Sequence, residues 1–159
     1  MTSPTPQDGD FAVTSPTPQD ADFVARVRAS FDRQALMALL GVRMLHVEAG
    51  VVVLGLDRDD RLTQQNGYLH AGVVTSVLDS ACGYAAYTLM PAASDVLSVE
   101  FKVNLLRPAA GASFEARARV VKAGRTISTA VADFYSLDDG AGERHVAMMV
   151  ATLMRVDRT

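Results

Sequence analysis

A proline-free run from Ala71 to Leu89 constrains the fold more than any other part of the sequence. Apolar side chains recur along it close to the helical period of 3.6 residues, at Val73, Val74, Val77, Leu78, Ala81, Ala85 and Leu89. The other face is small and polar, with Thr75, Ser76, Asp79, Ser80 and Gly83. The run therefore predicts one long, mostly buried helix that carries a lone carboxylate at its middle, with His70 directly before its first turn.

Strand-like segments lie on both sides of this helix and are joined by short turns. Two precede it and four follow it: Val42–Val47, Val51–Leu56, Val96–Leu106, Ser113–Val121, Thr126–Leu137 and His145–Val156. Strands linked by short turns are normally antiparallel neighbours, and the long helix is the only large apolar body that they can cover. We therefore predict an α+β fold in which an antiparallel sheet of five or six strands wraps around one long central helix.

The N-terminal region contains a tandem duplication. Residues 2–11 and 14–23 match at nine of ten positions, and each copy holds a helix-start signal of Thr, Pro and an acidic residue. Only the second copy, Thr17-Pro18-Gln19-Asp20, leads into an amphipathic pattern, so we predict one or two helices between about Asp20 and Leu40. Residues 1–15 are predicted to form a flexible tail without a direct function, and residues 16–159 a single domain.

Composition and residue spacing exclude several classes of function. The net charge is −3 and the Lys and Arg residues are scattered, which argues against a nucleic-acid groove. Asp79 at the centre of the long helix and the lack of basic flanks argue against a membrane span. His46, His70 and His145 lack the spacing of metal ligands, and the single cysteine, Cys82, is predicted to pack in the core. No signal-peptide pattern is present, so the expected location is the cytoplasm.

Two features of the long helix suit catalysis. Backbone N–H groups in a first helical turn lack intrahelical partners, and those of Ala71 and Gly72 are expected to be open to a polarised carbonyl oxygen. Asp79 is the second feature, because a carboxylate on a buried helix is costly unless it is paired or used. It would act as a nucleophile or a general base. The pattern alone also allows Asp79 to be a solvated or capping residue, and His70 simply to cap the helix or to pack.

These two features lie too far apart to act on one carbonyl within a single chain. Asp79 follows Ala71 by eight residues, which is ~12 Å along a helix that rises 1.5 Å per residue. If both groups act on the same substrate atom, they must come from two subunits whose long helices lie side by side and antiparallel. The spacing therefore predicts a homodimer, on the condition that both groups are functional.

Three segments carry a resemblance to a known family over about residues 38–156. They are His70-Ala71-Gly72 with Asp79 nine residues after the histidine, Leu97-Ser98-Val99-Glu100-Phe101 running to Leu106-Arg107-Pro108-Ala109, and Val120-Val121-Lys122-Ala123-Gly124-Arg125. In this order and spacing they resemble the hotdog-fold acyl-CoA thioesterases, specifically the phenylacetate-degradation (PaaI-type) and 4-hydroxybenzoyl-CoA thioesterase branch. The predicted order of strands and helices fits that fold.

The resemblance implies a role for each site residue. Within His70-Ala71-Gly72, the N–H of Ala71 would polarise the thioester carbonyl. Gln64, six residues before the histidine, would orient that carbonyl or a water molecule. Asp79 of the other subunit would attack the carbonyl or activate water beside Ser98. Further substrate contacts are implied for Asn66, Tyr68, Gly83, Arg107, Lys122 and Arg125. Of these, Asn66 is the alternative to Gln64. Arg107, Lys122 and Arg125 are the candidates for binding the CoA phosphates.

The implied function is hydrolysis of the thioester of a small, aromatic or medium-chain acyl-CoA, without cofactor or metal. The site would be shared across a homodimer, and two dimers would pair. The acyl group would lie beside Tyr68, Tyr84 and Leu89, for which plain core packing is the alternative. Two other functions stay open: a non-catalytic acyl-CoA-binding module, and a hydratase or dehydratase, which would need a histidine paired with an acid in the site.

Overall fold

Six antiparallel strands curl around one long helix in the computed structural model, which describes residues 17–138 and 142–157. Two helices come first, α1 (Phe23–Phe31) and α2 (Ala35–Leu39), and the long helix α3 (Ala71–Tyr87) follows the second strand. The strands are β1 (Arg43–Glu48), β2 (Val51–Asp57), β3 (Ser94–Leu105), β4 (Ser113–Ala123), β5 (Ile127–Asp138) and β6 (Gly142–Asp157). Their order in the sheet is β1-β2-β4-β5-β6-β3. The predicted hotdog fold is confirmed, and its sheet has six strands where five or six were predicted.

The core lies between α3 and the face of the sheet that covers it. Val77, Leu78 and Ala81 of α3 are completely buried, and they pack with sheet residues that point inward at alternate positions. Phe114 of β4 and Phe134 of β5 stack in this layer, with ring centroids 5.7 Å apart. The buried side chains of α3 and the inward-pointing side chains of the strands therefore form one shared core.

The sequence patterns place the main elements closely. Every observed strand begins and ends within three residues of its predicted position, and α3 begins at the predicted Ala71. The helix ends at Tyr87, two residues before the predicted Leu89. Next in the chain, the Thr88 hydroxyl accepts the Gly50 N–H at 2.7 Å. This contact ties the end of α3 to the turn between β1 and β2.

The two helices α1 and α2 lie within the predicted range of about Asp20 to Leu40, but the helix-start signal at Thr17-Pro18-Gln19-Asp20 does not begin a helix. The first helix, α1, begins at Phe23, and the segment before it lies against the end of α3. There the Gln19 side chain donates to a backbone carbonyl just beyond α3 at 3.2 Å. Arg26 donates to two more of these carbonyls and pairs with Asp20 at 2.6 Å. Gln19 of this segment and Arg26 of α1 thus satisfy carbonyls at the end of α3. The predicted tail, residues 1–15, and residue 16 lie outside the described residues.

β3 occupies one edge of the sheet, where it pairs with β6. Several of its apolar side chains are half exposed, at 46% to 56%: Leu97, Val99, Phe101 and Leu105. An edge strand presents unpaired N–H and C=O groups and is a template for pairing with another chain. This edge therefore combines open backbone hydrogen-bonding groups with exposed apolar side chains.

Candidate active site

The long helix begins at the histidine motif, and the histidine caps it. His70 has an extended backbone conformation (φ −64°, ψ 138°), and its Nδ1 accepts the Gly72 N–H at 2.9 Å. The prediction that both first-turn N–H groups are open is therefore wrong for Gly72. The Ala71 N–H has no hydrogen-bond acceptor within the part of the chain that the structure describes. One donor is thus left at the positive end of the helix dipole.

The cap also explains the glycine of the motif. A Cβ added at Gly72 would lie 3.1 Å from His70 Nδ1, so a side chain there would push the ring away from the N–H that it accepts. With Nδ1 as an acceptor, a neutral His70 ring carries its proton on Nε2. His70 and Gly72 therefore act together to fix the helix start, and they leave the donor of Ala71 in a defined direction.

A cavity of about 370 Å³ opens at this end of α3. Four of the predicted site residues line it: Gln64, Tyr68, Ala71 and Arg107. The Gln64 side-chain oxygen accepts the backbone N–H of Asn66, which leaves the Nε2 group of Gln64 to donate. Asn66 does not line the cavity, so the structure does not show the predicted exchange between these two amides.

A second cavity, of about 460 Å³, opens at Asp79. The Ser98 hydroxyl of β3 donates to Asp79 Oδ1 at 2.6 Å, so the edge strand positions one oxygen of a half-buried carboxylate. Gly83 lines the same cavity one helical turn further along α3, and a Cβ added there would meet no heavy atom within 4 Å. The structure thus brings together Asp79, Ser98 and Gly83, three residues predicted for the site.

The two cavities are separate, because they share no lining residue. The helix that connects them is continuous, so Ala71 and Asp79 stand ~12 Å apart along its axis. The helix surface between them carries small polar side chains. Thr75 and Ser76 donate their hydroxyls to carbonyls of their own helix at 2.8 Å. This face therefore offers small side chains with satisfied polar groups, which suits close approach of another helix.

Some predicted site residues lie elsewhere. Lys122, at the end of β4, and Arg125, in the turn before β5, are exposed and line neither cavity. Their contact with CoA stays a prediction. Of the three predicted acyl contacts, Tyr84 lines the Asp79 cavity and Tyr68 lines the other. Leu89 is 4% exposed and belongs to the core, which is the alternative that the sequence left open.

Sequence reasoning missed residues that complete the Asp79 cavity. Ser30 of α1 and Gln34, directly before α2, line it together with Asp95 of β3. Gln34 reaches α3 through a hydrogen bond from the Ser80 hydroxyl, across 46 positions of sequence. No local pattern marks these residues, since the contact depends on how α1 and α2 pack against α3.

Other chemistries find little support near the two cavities. Cys82 is completely buried, and burial raises the pKa of its thiol to about 12, so it stays protonated and is a poor nucleophile. No group of three metal-binding side chains occurs among the described residues. Within the same residues, no helix is long and apolar enough to cross a membrane.

Comparisons with known proteins agree with this fold. A family model described as the thioesterase superfamily matches residues 66–143. A solved thioesterase family protein from Silicibacter pomeroyi is 52% identical, with 85% of this chain and 98% of that chain covered and a TM-score of 0.83. A curated protein of Halobacterium salinarum named "Putative esterase" is 32% identical over 67% of this chain and 73% of its own length. The E. coli PaaI protein is 18% identical, with 89% and 98% covered and a TM-score of 0.78, and shows the fold alone.

Proposed function

The chain belongs to the thioesterase superfamily, and from this premise we propose that it hydrolyses the thioester bond of an acyl-CoA. Membership of the family supports a hydrolase. The observation that carries the proposal further is the pair of half-sites on one chain. One presents the N–H donor of Ala71, and the other presents Asp79 with its Ser98 hydroxyl. Hydrolysis of a thioester needs both: a donor for the developing oxyanion and a group that attacks or activates water.

A homodimer would join the half-sites. Two α3 helices lying antiparallel would bring Ala71 of one copy to Asp79 of a second copy, twice per dimer. Three observations support this assembly: the separation of ~12 Å within one chain, the small satisfied face of α3, and the half-exposed apolar side chains of β3. The predicted pairing of two such dimers stays a prediction.

In the composite site the thioester carbonyl oxygen would accept from the Ala71 N–H and from the Gln64 Nε2 group. In one route, Asp79 attacks the carbonyl carbon, the C–S bond breaks, and CoA leaves as a thiolate. Water then hydrolyses the mixed anhydride to the free acid and the original carboxylate, and the proton that this water releases converts the thiolate to the thiol. In the other route, Asp79 takes a proton from water as the water oxygen attacks the carbonyl carbon. The tetrahedral intermediate then collapses, the C–S bond breaks, and the proton held by Asp79 passes to the departing sulfur. Both routes give the same products and use the same residues.

Recognition of CoA is the finer part of the proposal. Arg107 lines the Ala71 cavity and donates to a backbone carbonyl of β6 at 3.0 Å, which holds a positive charge near the thioester position. Lys122 and Arg125 are exposed and would meet the phosphates only at the outer end of the bound nucleotide. An acyl-CoA substrate also agrees with the predicted cytoplasmic location.

The hydratase alternative is less well supported. Such a site needs a histidine paired with an acid beside the substrate, and His145 does pair with Asp133 at 2.7 Å. Neither residue lines either cavity. His145 stacks on Tyr135 with ring centroids 5.1 Å apart, and Arg117 covers that tyrosine. The His145–Asp133 pair therefore belongs to a cluster of side chains on the surface of the sheet and not to the candidate active site.

A substrate panel tests the proposal. Purified protein is given acyl-CoAs with short, medium, long and aromatic acyl groups, and release of free thiol is followed. We expect turnover of at least one class. Thermal stabilisation by acyl-CoA without thiol release would identify a binding module. Loss of the enoyl absorbance of an unsaturated acyl-CoA without thiol release would identify a hydratase. Either result would overturn the proposal.

Gly83 offers a test of where the acyl group lies. Alanine in place of glycine within a helix is favourable by about 1 kcal/mol, and the added side chain would point into open space in the Asp79 cavity. We therefore expect Gly83→Ala to keep or raise the unfolding temperature while kcat/KM falls by about 10-fold for the largest good substrate and little for acetyl-CoA.

A longer side chain should extend the trend, so Gly83→Val is the second member of the series. The dimer content of each variant is measured by light scattering, because Gly83 also lies on the small, polar face of α3. An equal loss for large and small acyl groups in a dimeric variant would place the acyl group outside this cavity.

A further inference from the structure

The edge strand β3 carries an apolar alternation that the structure follows only in part. Alternate residues of a regular strand face the same side, so one face of β3 would present Leu97, Val99, Phe101, Val103 and Leu105. The observed strand keeps this order from Phe101 onward, where Phe101 pairs with Ala151 of the core. Before it, Leu97 and Val99 are 53% and 56% exposed, whereas Val96 packs against the core. The set of β3 residues that faces α3 therefore changes just before Phe101.

One extra residue in β3 causes this change. Glu100 pairs with Thr152 of β6. The next residue of β6, Leu153, pairs with Ser98, so Val99 has no partner in the ladder and forms a β-bulge. A shift of one residue moves every side chain beyond it to the opposite face. Ser98 thereby shares the face of Leu153, which is completely buried, and its hydroxyl reaches the carboxylate of α3 at 2.6 Å.

The register before the bulge is fixed from the side of α3. Ser94, the first residue of β3, is completely buried. Its hydroxyl and its N–H both donate to the Pro91 carbonyl, at 2.6 and 3.2 Å, in the short connection that follows α3. The register after the bulge is fixed by the core, through pairs such as Phe101 with Ala151. The bulge takes up the one-residue difference between these two ends.

A regular ladder would give a different site. If the pairing from Phe101 continued without a bulge, Val99 would lie on the face of α3 and Ser98 on the outer face. Leu97 would turn inward in exchange for Val96, so that more apolar surface would be buried than in the observed strand. The carboxylate of α3 would then lack its hydroxyl donor. Departures from a local apolar pattern are expected at functional sites, and bulges next to active sites re-aim side chains.

We propose that the bulge at Val99 is a positioning device of the active site: it selects the register in which Ser98 donates to Asp79, at the expense of apolar burial along β3. The proposal rests on the thioesterase function proposed above. The role belongs to the place of the extra residue in the chain, directly after Ser98, and not to the side chain of Val99. Ser98 in turn fixes Asp79 through one oxygen, so that the carboxylate meets the substrate or water in one orientation.

Two deletions of one residue each separate the register of Ser98 from the presence of the bulge. Deletion of Val99 gives a regular ladder with Ser98 still opposite Leu153. Deletion of Leu97 also gives a regular ladder, but with Ser98 on the outer face, because the anchor at Ser94 keeps the pairs before the bulge. We expect kcat for thiol release to stay within a few-fold of wild type in the first variant. In the second it should fall roughly 10- to 100-fold, as in Ser98→Ala, with KM changed little, because one hydrogen bond to a charged group is lost.

A rescue shows whether the lost hydroxyl or the deletion itself causes the effect, because Leu97 also lines the Asp79 cavity. In the chain that lacks Leu97, residue 99 lies opposite Leu153. Adding Val99→Ser to this chain returns a hydroxyl to Asp79 and should restore kcat to within a few-fold of wild type. In the full chain, Val99→Ser is the matched control and should change kcat little. Thermal unfolding shows that each variant is folded.

An exchange of two side chains without any deletion provides a second check. Ser98→Val with Val99→Ser keeps the length and composition of β3, and the anchored register should hold the new serine away from Asp79. We expect kcat to fall to the level of Ser98→Ala. Full activity of this variant would overturn the proposal. So would full activity without Leu97, an equal loss in both deletions, or a folded Leu97 deletion that Val99→Ser does not rescue. Absence of thiol release by wild type from every acyl-CoA would instead overturn the thioesterase function itself, so the two failures are distinguishable.

Discussion

Asp79→Asn is expected to lower kcat for acyl-CoA hydrolysis by about 10²- to 10⁴-fold, the range that a positioned acid–base group contributes. The loss follows from chemistry rather than from folding. Asparagine has the shape of aspartate, and its carbonyl oxygen can still accept the Ser98 hydroxyl that holds Oδ1 at 2.6 Å. It can neither attack a thioester carbonyl efficiently nor take a proton from water. Binding of substrate should change much less, so KM should stay within a few-fold of wild type.

The measurement is steady-state thiol release together with thermal unfolding. Asp22→Asn is the matched control, because Asp22 is exposed, makes no capping hydrogen bond from its side chain and lines neither cavity. It should retain wild-type kcat. A folded Asp79→Asn variant with full activity would remove Asp79 from the mechanism. The half-buried aspartate would then be the solvated residue that the sequence pattern also allows.

Most of the fold follows from periodicity alone. The apolar spacing of α3 and the alternation of the strands repeat over many residues, so local errors do not shift the assignment, and the observed boundaries fall within three residues. The start of α1 shows the limit. Thr17-Pro18-Gln19-Asp20 has the composition of a helix start, yet Gln19 and Arg26 bind carbonyls at the end of α3. A long-range contact there outweighs a local preference.

The candidate site likewise contains residues that local patterns predict and residues that depend on long-range packing. Ala71 and Asp79 lie on one element and are predicted from their spacing, since a helix fixes distance and direction, whereas Gly83 is implied only by the family resemblance. Gln34 and Ser30 reach the cavity only through the packing of α1 and α2 against α3, and no pattern records that packing. The wrong prediction for the Gly72 N–H has a related reason. The cap depends on the backbone angles of His70, which the residue type alone does not determine.

Ala71→Pro is expected to lower kcat by about 10²- to 10³-fold, the usual cost of removing one donor to the oxyanion. Proline is well tolerated at the first position of a helix, where no intrahelical hydrogen bond is lost. Proline also requires an extended residue before it, and His70 already has φ −64° and ψ 138°. The substitution therefore removes the N–H with little cost in stability. Ala71→Gly keeps the N–H and is the control, which should retain most of the activity.

Combining the two inactive variants tests whether the half-sites act across subunits. Each variant carries a different affinity tag, and the heterodimer is isolated after co-expression. By twofold symmetry it has one site with both wild-type groups and one site with neither. We therefore expect about half the kcat of wild type per dimer, although each parent homodimer is nearly inactive. If Ala71 and Asp79 instead acted within one chain, every site would lack one group, and the heterodimer would be as inactive as its parents. That result, or a monomeric wild-type protein with full activity, would contradict the shared site.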